Sequence, residues 1–485
     1  MSTNKIIFWG LCATLIFLPL PFGSVDEWAI FVFELLTLLL FALHLVGKRA
    51  SLENNEHRNK SSSSKIPLFL KILLAIFLGI TIIQLVPLPQ PLLKIISPRS
   101  FEILNTLSSE GLIESGTTGA KTLSFSPNLS LYEVLKYICY FLFGFLVYKY
   151  VRTKKQIEIF VIVIFLSAIF QTFYGLGELF SGTERIFRYK KKWYLGSATG
   201  TFIHKNHFSG FLEMIFPISV GYLLAKANLF AMKEGLTLKE KIVWFSQERL
   251  QKSIVIGLIP VSIGIGIFFS RSRTGIFVFF ITIFLMIIAV SLAGGKKSER
   301  LSRGKRSRKI LRAILLMILF SVILIGIKPI IERFSLEALS KEIRPIFYKN
   351  TMDLIKTFPL FGTGSGTYVY AYTMFEKIDA HMIVDHAHND YLEFIAESGI
   401  IGGGALILFA FGAFIYIFAK WMKRNDYFVK GIVLGCLMGV LGILIHSLTD
   451  FNLRIPANAV YFVTFYALAW RTVKMGRFKN RGARE

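Results

Sequence analysis

Apolar residues in this chain come in blocks. VLKYICYFLFGFLVY, IFVIVIFLSAIFQTFYGLGELF, GIFVFFITIFLMIIAVSLAGG and LLMILFSVILIGI are nearly free of charge. Each approaches the roughly 20 residues a helix needs to cross a bilayer core. A soluble chain of 485 residues would show short periodic stripes instead. The blocks predict an all-α polytopic membrane protein with about 12 transmembrane helices. Their approximate ranges are 6–22, 28–47, 66–87, 131–150, 158–180, 207–226, 253–269, 275–294, 311–331, 399–419, 430–448 and 456–473. The first block, KIIFWGLCATLIFLPLPFG, lacks a small-residue cleavage site and runs into another span, so a retained first helix is expected.

The polar intervals alternate in charge. Lys and Arg concentrate around 48–65, 149–155, 226–252, 296–309 and 420–430 and in the tail RTVKMGRFKNRGARE. With both termini cytoplasmic, every one of these intervals falls on the cytoplasmic side, as the positive-inside rule requires. The opposite side then receives 23–27, 88–130, 181–206, 270–274, 332–398 and 449–455. This divides the chain into 1–331, with nine helices, a long loop 332–398 before the tenth helix, and 399–485, with the last three helices and the basic tail. Segment 88–130 is rich in Pro, Ser and Gly, and short irregular elements at the interface are expected there. In the long loop, EIRPIFYKNTMDLIKTF reads as a helix with Pro345 in its first turn. Its apolar side (Ile346, Phe347, Leu354, Ile355, Phe358) suits lying on the membrane.

Composition then sharpens the picture. The chain is 54% hydrophobic and carries a net charge of +26, with a mean hydropathy of +0.57. Topology accounts for most of that charge, and no nucleic-acid partner is implied. Cys12, Cys139 and Cys436 are far apart in apolar stretches and form neither a disulfide framework nor a zinc spacing.

Two outer segments break the charge rule. SGTERIFRYKKKWYLGSATGTFIHKN at 181–206 is strongly basic, and SRSRT at 270–274 puts Arg271 and Arg273 between two apolar helices. An arginine at the membrane surface needs partners or water. It either snorkels, pairs with a carboxylate, or binds an anion through paired charge-assisted hydrogen bonds. Arg344 adds a cation at the start of the loop helix. Farther on lies DHAHNDYLEFIAESGIIGGGALI, 385–407, in which Asn389, Glu393 and Glu397 fall at i, i+4 and i+8 on one face of a helix entering the membrane. His388 is either a capped, inert histidine or a proton acceptor near neutral pH, with Glu393 or Asp385 available to orient it. His386-Ala-His388-Asn-Asp390 alternates possible metal ligands without the spacing of a zinc site, so no metal is assigned. FGTGSGTY at 361–368 lacks the Gly-Lys-Ser/Thr of a P-loop and reads as a tight turn packing the loop helix against the next element.

His388-Asn389, nine residues, then Gly399-x-x-Gly402 resembles the signature of the O-antigen ligase and O-antigen polymerase superfamily. PLPFGSVDEWA at 19–29, QLVPLP at 84–89, TGTFIHKNHFSGFLEM at 199–214, SRTG at 272–275, FPLFGTGSGTY at 358–368 and HSLTDFNLRIPANA at 446–459 resemble other pieces of that family, in the same order. The resemblance implies a metal-independent, cofactor-free, inverting glycosyltransferase of the bacterial inner membrane with a periplasmic active site. Its donor would be an undecaprenyl-diphosphate-linked glycan, and its acceptor the lipid A core or another lipid-linked glycan. It implies that His388 is catalytic and that Arg273 and Arg344 hold the diphosphate. Lys205, Asn206 and the additional Arg271 enrich that cluster, and Asn389 stands beside the histidine. A ligase is the reading favoured. A polymerase extending lipid-linked repeats is the alternative, and a polysaccharide or lipid transporter the second. Cations gathered at one surface under a long loop favour surface chemistry over a midplane transport site.

Overall fold

The computed structural model describes residues 2–53, 66–110, 121–226, 248–292, 312–320, 322–324, 328–332, 343–377 and 383–476. Among these the fold is helical, apart from one two-stranded ribbon, β1 (Arg185–Ile186) with β2 (Tyr189–Lys190). The helices are α1 (Thr3–Phe17), α2 (Glu27–Glu53), α3 (Leu68–Ile83), α4 (Gln90–Ile96), α5 (Pro98–Ser109), α6 (Pro127–Tyr150), α7 (Lys154–Ser181), α8 (Lys205–Ala225), α9 (Glu248–Phe269) and α10 (Arg273–Leu292). After helical pieces between 312 and 331 come α11 (Arg344–Thr357), α12 (Tyr368–Thr373), α13 (Asp390–Met422), α14 (Tyr427–His446), a 3-10 turn at Asn452–Arg454, and α15 (Pro456–Val473). Among the described residues, seven helices (α2, α6, α7, α8, α10, α13 and α14) are long and apolar enough to cross a membrane, and shorter apolar helices accompany them.

The connections assigned to one side of the membrane bond to one another. Phe125 N–H donates to Thr363 O (2.9 Å), Ala198 N–H to Phe269 O (2.9 Å) and Ala457 N–H to Gly23 O (3.1 Å). The hydroxyls of Thr274 and Thr449 lie 2.9 Å apart. At the other end Lys226 pairs with Glu158 at 2.7 Å, and Trp421 Nε1 donates to Lys430 O at 2.9 Å.

α8 is buried along almost its whole length, and α14 makes this possible. Gly431, Gly435 and Gly439 recur every four residues on the face of α14 that meets α8. A Cβ on Gly431 would stand 2.3 Å from Gly221 O, and one on Gly439 2.2 Å from Met214 O. Small residues at this spacing let two backbones approach closely, a common basis of helix packing in membranes. The clamp fixes the start of α8 against the end of α14, where the polar residues collect.

Three departures from the expected boundaries have physical causes. The tenth helix was expected from 399, but α13 begins at Asp390 and is broken at Gly399 (φ 69°, ψ 174°). A Cβ there would lie 2.0 Å from Leu360 O, so only glycine fits. The turn of Gly362, Gly364 and Gly366, all at positive φ, packs against the segment before the break. There Thr363 N–H donates to Ala396 O (3.1 Å) and Gly364 N–H to Glu397 O (2.9 Å). The apolar side of α11 packs mainly on protein, with Ile346 alone of the five expected residues exposed. Phe347, Leu354, Ile355 and Phe358 are buried in a small core with Tyr368, Tyr372, Val384 and Ala396. Within 88–130, α4 and α5 are regular helices, joined through Leu93, Leu104 and Leu123.

Candidate functional site

Asp450 is the centre of the polar cluster. It follows α14 in the turn 447–454 and is fully buried. His388 Nδ1 lies 3.3 Å from its Oδ1 and Arg344 Nη2 3.5 Å from its Oδ2. The Asn206 side chain donates to Oδ2, His207 Nε2 stands 3.7 Å from Oδ1, and Phe451 N–H donates to Oδ1 at 2.9 Å. Three segments far apart in sequence thus meet on one carboxylate of a fourth. Burial acts to raise the Asp450 pKa, but His207 and His388 beside it, with His204 nearby, outweigh it and hold the carboxyl well below its ordinary range.

Four imidazoles ring Phe451. His386 stacks on it at 4.1 Å, His207 and His388 meet it edge-on at 4.6 and 4.9 Å, and His204 lies at 6.3 Å. His204 caps α8, its Nδ1 accepting from Asn206 N–H at 3.0 Å. Burial, reinforced by the neighbouring His207, pushes the His204 pKa well below its ordinary value and keeps the ring neutral. His388 has φ +50°, an unusual conformation for a side-chain-bearing residue. It is held by Tyr348 Oη, which donates to His388 O at 3.0 Å, and by Phe347 stacked 6.0 Å from its ring.

Asn389 caps α13, its Oδ1 accepting from Tyr391 and Leu392 N–H at 3.0 and 3.1 Å. Its Nδ2 donates to Leu448 O at 2.9 Å. Glu393 does not orient His388. It binds the other histidine, His386, at 2.8 Å, accepts from Ala387 N–H at 2.8 Å and pairs with Arg454 Nε at 3.0 Å. Arg454 Nη2 also binds Glu397 Oε2 at 2.7 Å. The i, i+4, i+8 face of the sequence is therefore real: one residue caps the helix and two carboxylates grip a buried arginine. Asp385 is exposed beside His386, so the carboxylate at His388 is Asp450.

The remaining candidates divide. Lys205 opens α8, its Nζ 5.8 Å from the Tyr194 ring centre. Arg273 opens α10, next to the Thr274–Thr449 contact and so one step from the Asp450 turn. Arg271, at φ +52°, turns instead toward the 184–196 loop, where a Cβ on Gly196 would lie 3.2 Å from its Nη1. Burial lowers its pKa, partly offset by Glu332 and Glu184. Among the described residues no three His, Cys, Asp or Glu side chains are grouped so as to hold a metal ion.

Sequence reasoning gave no role to Asp450 or Arg454. Their signal was present: two opposite charges in one short connection, SLTDFNLRIP, between apolar helices, where unpaired charge is costly.

Beneath the cluster a cavity of about 400 Å³ runs between α3, α6, α13 and α15. Its lining is almost entirely apolar, including Phe77, Phe141, Phe394 and Phe462, with Asp390 and Leu453 among the residues that border the cluster.

Fold and site define a multi-pass helical membrane protein with a histidine–carboxylate–arginine cluster at one end of its bundle. Residues 258–407, from within α9 to within α13, match the O-antigen ligase family model, Wzy_C, which supports the O-antigen ligase superfamily. That stretch carries Arg271, Arg273, Arg344, His388, Gly399 and Gly402; Asp450 and the start of α8 lie outside it. No curated protein matches the chain significantly.

Proposed function

We propose that the protein is an O-antigen ligase-type glycosyltransferase of the bacterial inner membrane, acting at the periplasmic face. It transfers a glycan from undecaprenyl diphosphate to a hydroxyl of the lipid A core. The observation that carries this reading is the convergence of His388, Arg344, Asn206 and His207 on Asp450.

The chemistry follows from that arrangement. Ionised Asp450 accepts from His388 Nδ1–H, which leaves the Nε2 lone pair to act as base. Nε2 takes the proton of the acceptor hydroxyl as its oxygen bonds to the anomeric carbon. The bond from that carbon to the diphosphate oxygen breaks on the opposite face, inverting the configuration. Charge growing on the diphosphate is met by Arg344, Arg273 and Lys205, each at the start of a helix. Asn389 and Asp385 flank the base, and Glu393 positions this segment through His386 and Arg454. The apolar cavity suits the polyprenyl tail, as its lining is rich in Phe and Leu.

A deletion strain tests the reading on a polysaccharide gel. Long lipid-linked chains beside bare core are expected. Accumulated single repeats would identify a polymerase, and unchanged lipopolysaccharide would refute both.

A further inference from the structure

The basic segment between α7 and α8 takes little part in the Asp450 cluster except at its last residues. Its first half is a ribbon mounted on a buried lysine. Lys191 Nζ binds Glu178 Oε1 at 2.6 Å, Glu184 Oε2 at 3.0 Å and Ser197 O at 3.0 Å, while Gly196 N–H donates to Glu184 Oε1 at 2.6 Å. Both local carboxylates are thereby used in holding the ribbon. From Arg185 to Asn206 there is no Asp or Glu, and Arg185, Arg188, Lys190 and Lys192 are all exposed. Interleaved with them, Phe187, Trp193 and Leu195 are 53%, 67% and 59% exposed.

The ribbon's height follows from its attachment. Phe187 N–H donates to Tyr174 Oη at 2.6 Å, and the two rings lie 5.3 Å apart. Tyr174 in turn stacks on Phe170 at 5.7 Å. Phe170 and Phe173 are exposed on α7, a helix long and apolar enough to cross a membrane. An aromatic ladder therefore climbs the outward face of α7 and ends in the ribbon, which puts Phe187 at the rim of the apolar belt; Trp193 follows β2 by three residues. Aromatic rings at that level and cations beside them are the residues that settle among lipid headgroups.

We propose that the 185–195 ribbon is a docking surface for anionic phospholipid headgroups of the leaflet around the Asp450 end of the bundle. Its aromatic and leucine side chains enter the interface, and Arg185, Arg188, Lys190 and Lys192 bind the phosphates. Such a contact fixes the depth of the bundle, and hence the height of the cluster above the bilayer. The proposal does not depend on the transfer reaction.

The test uses the full chain in nanodiscs containing either brominated phosphatidylglycerol or brominated phosphatidylcholine at equal mole fraction. The fluorescence difference between wild type and Trp193→Phe isolates Trp193. Quenching by the anionic lipid is expected to exceed that by the zwitterionic lipid by about twofold or more. The preference should vanish in Arg185→Gln/Arg188→Gln/Lys190→Gln/Lys192→Gln and survive in Arg185→Lys/Arg188→Lys. Equal quenching by both lipids, a preference that persists in the glutamine variant, or a Trp193 quenched by neither lipid (a ribbon directed at a soluble anionic partner) would overturn it.

Discussion

His388 Nδ1 and Asp450 Oδ1 lie 3.3 Å apart, the first in the loop before α13 and the second in the turn after α14. Asp450 is fully buried, while the His388 side chain keeps 22% of its surface exposed. A buried carboxylate behind a partly open imidazole fixes the tautomer and leaves the outer nitrogen to meet a substrate.

Asp450→Asn keeps the volume and one hydrogen-bonding oxygen but removes the charge. If Asp450 positions His388, transfer by the purified variant should fall by about 10²–10⁴ while substrate KM changes little. A change confined to KM would move Asp450 from the base to the binding of substrate.

Arg454 is nearly buried and neutralises Glu393 and Glu397. Burial disfavours its charge, but Glu397, then Tyr137 and Glu393, outweigh this and hold its pKa well above the ordinary value. Arg454→Met removes the ion-pair partner of buried Glu397 and leaves Glu393 with His386 and Ala387 N–H, and a loss of about 3–5 kcal/mol is expected in denaturant unfolding in detergent. Arg454→Met/Glu397→Gln should recover part of it. No recovery would mean that the arginine stabilises through packing on Phe394, whose ring centre is 4.3 Å from its guanidinium carbon.

His386 gives a pH dependence. Burial acts to lower its pKa, but Glu393, by charge and hydrogen bond, and Asp385 outweigh burial and the opposing Arg454, so it rises above the ordinary 6.5. A histidine raised on folding stabilises fully below its unfolded value and loses that contribution as pH climbs through its folded value. The Tm gap between wild type and His386→Gln should be widest below about pH 6 and narrow on going above neutrality. A gap that widens with pH would contradict the pairing with Glu393.

The helices were legible because burial in lipid writes long apolar blocks. Each expected range that falls on described residues meets a helix, though ends shifted where prolines or glycine intervened. Pro19 and Pro21 follow the last turn of α1, and Gly399 lets α13 begin nine residues before the expected boundary. Part of the 311–331 range lies outside the described residues. At the site, residues with locally unusual chemistry stood out: His388, Arg344, Asn206. Their shared partner did not. Asp450 is an ordinary aspartate in a short turn, and what distinguishes it is contact with segments 62, 106 and 244 positions away. Glu393 was misread for the same reason. Proximity in sequence suggested His388, while the helix start turns Glu393 toward His386 and Arg454.

The most direct test is single-turnover transfer in vitro with purified His388→Gln, undecaprenyl-diphosphate-linked glycan and lipid A core acceptor, with donor binding measured in parallel. The account predicts transfer reduced by about 10² or more with donor affinity kept within a few-fold. Transfer at the wild-type rate would contradict it.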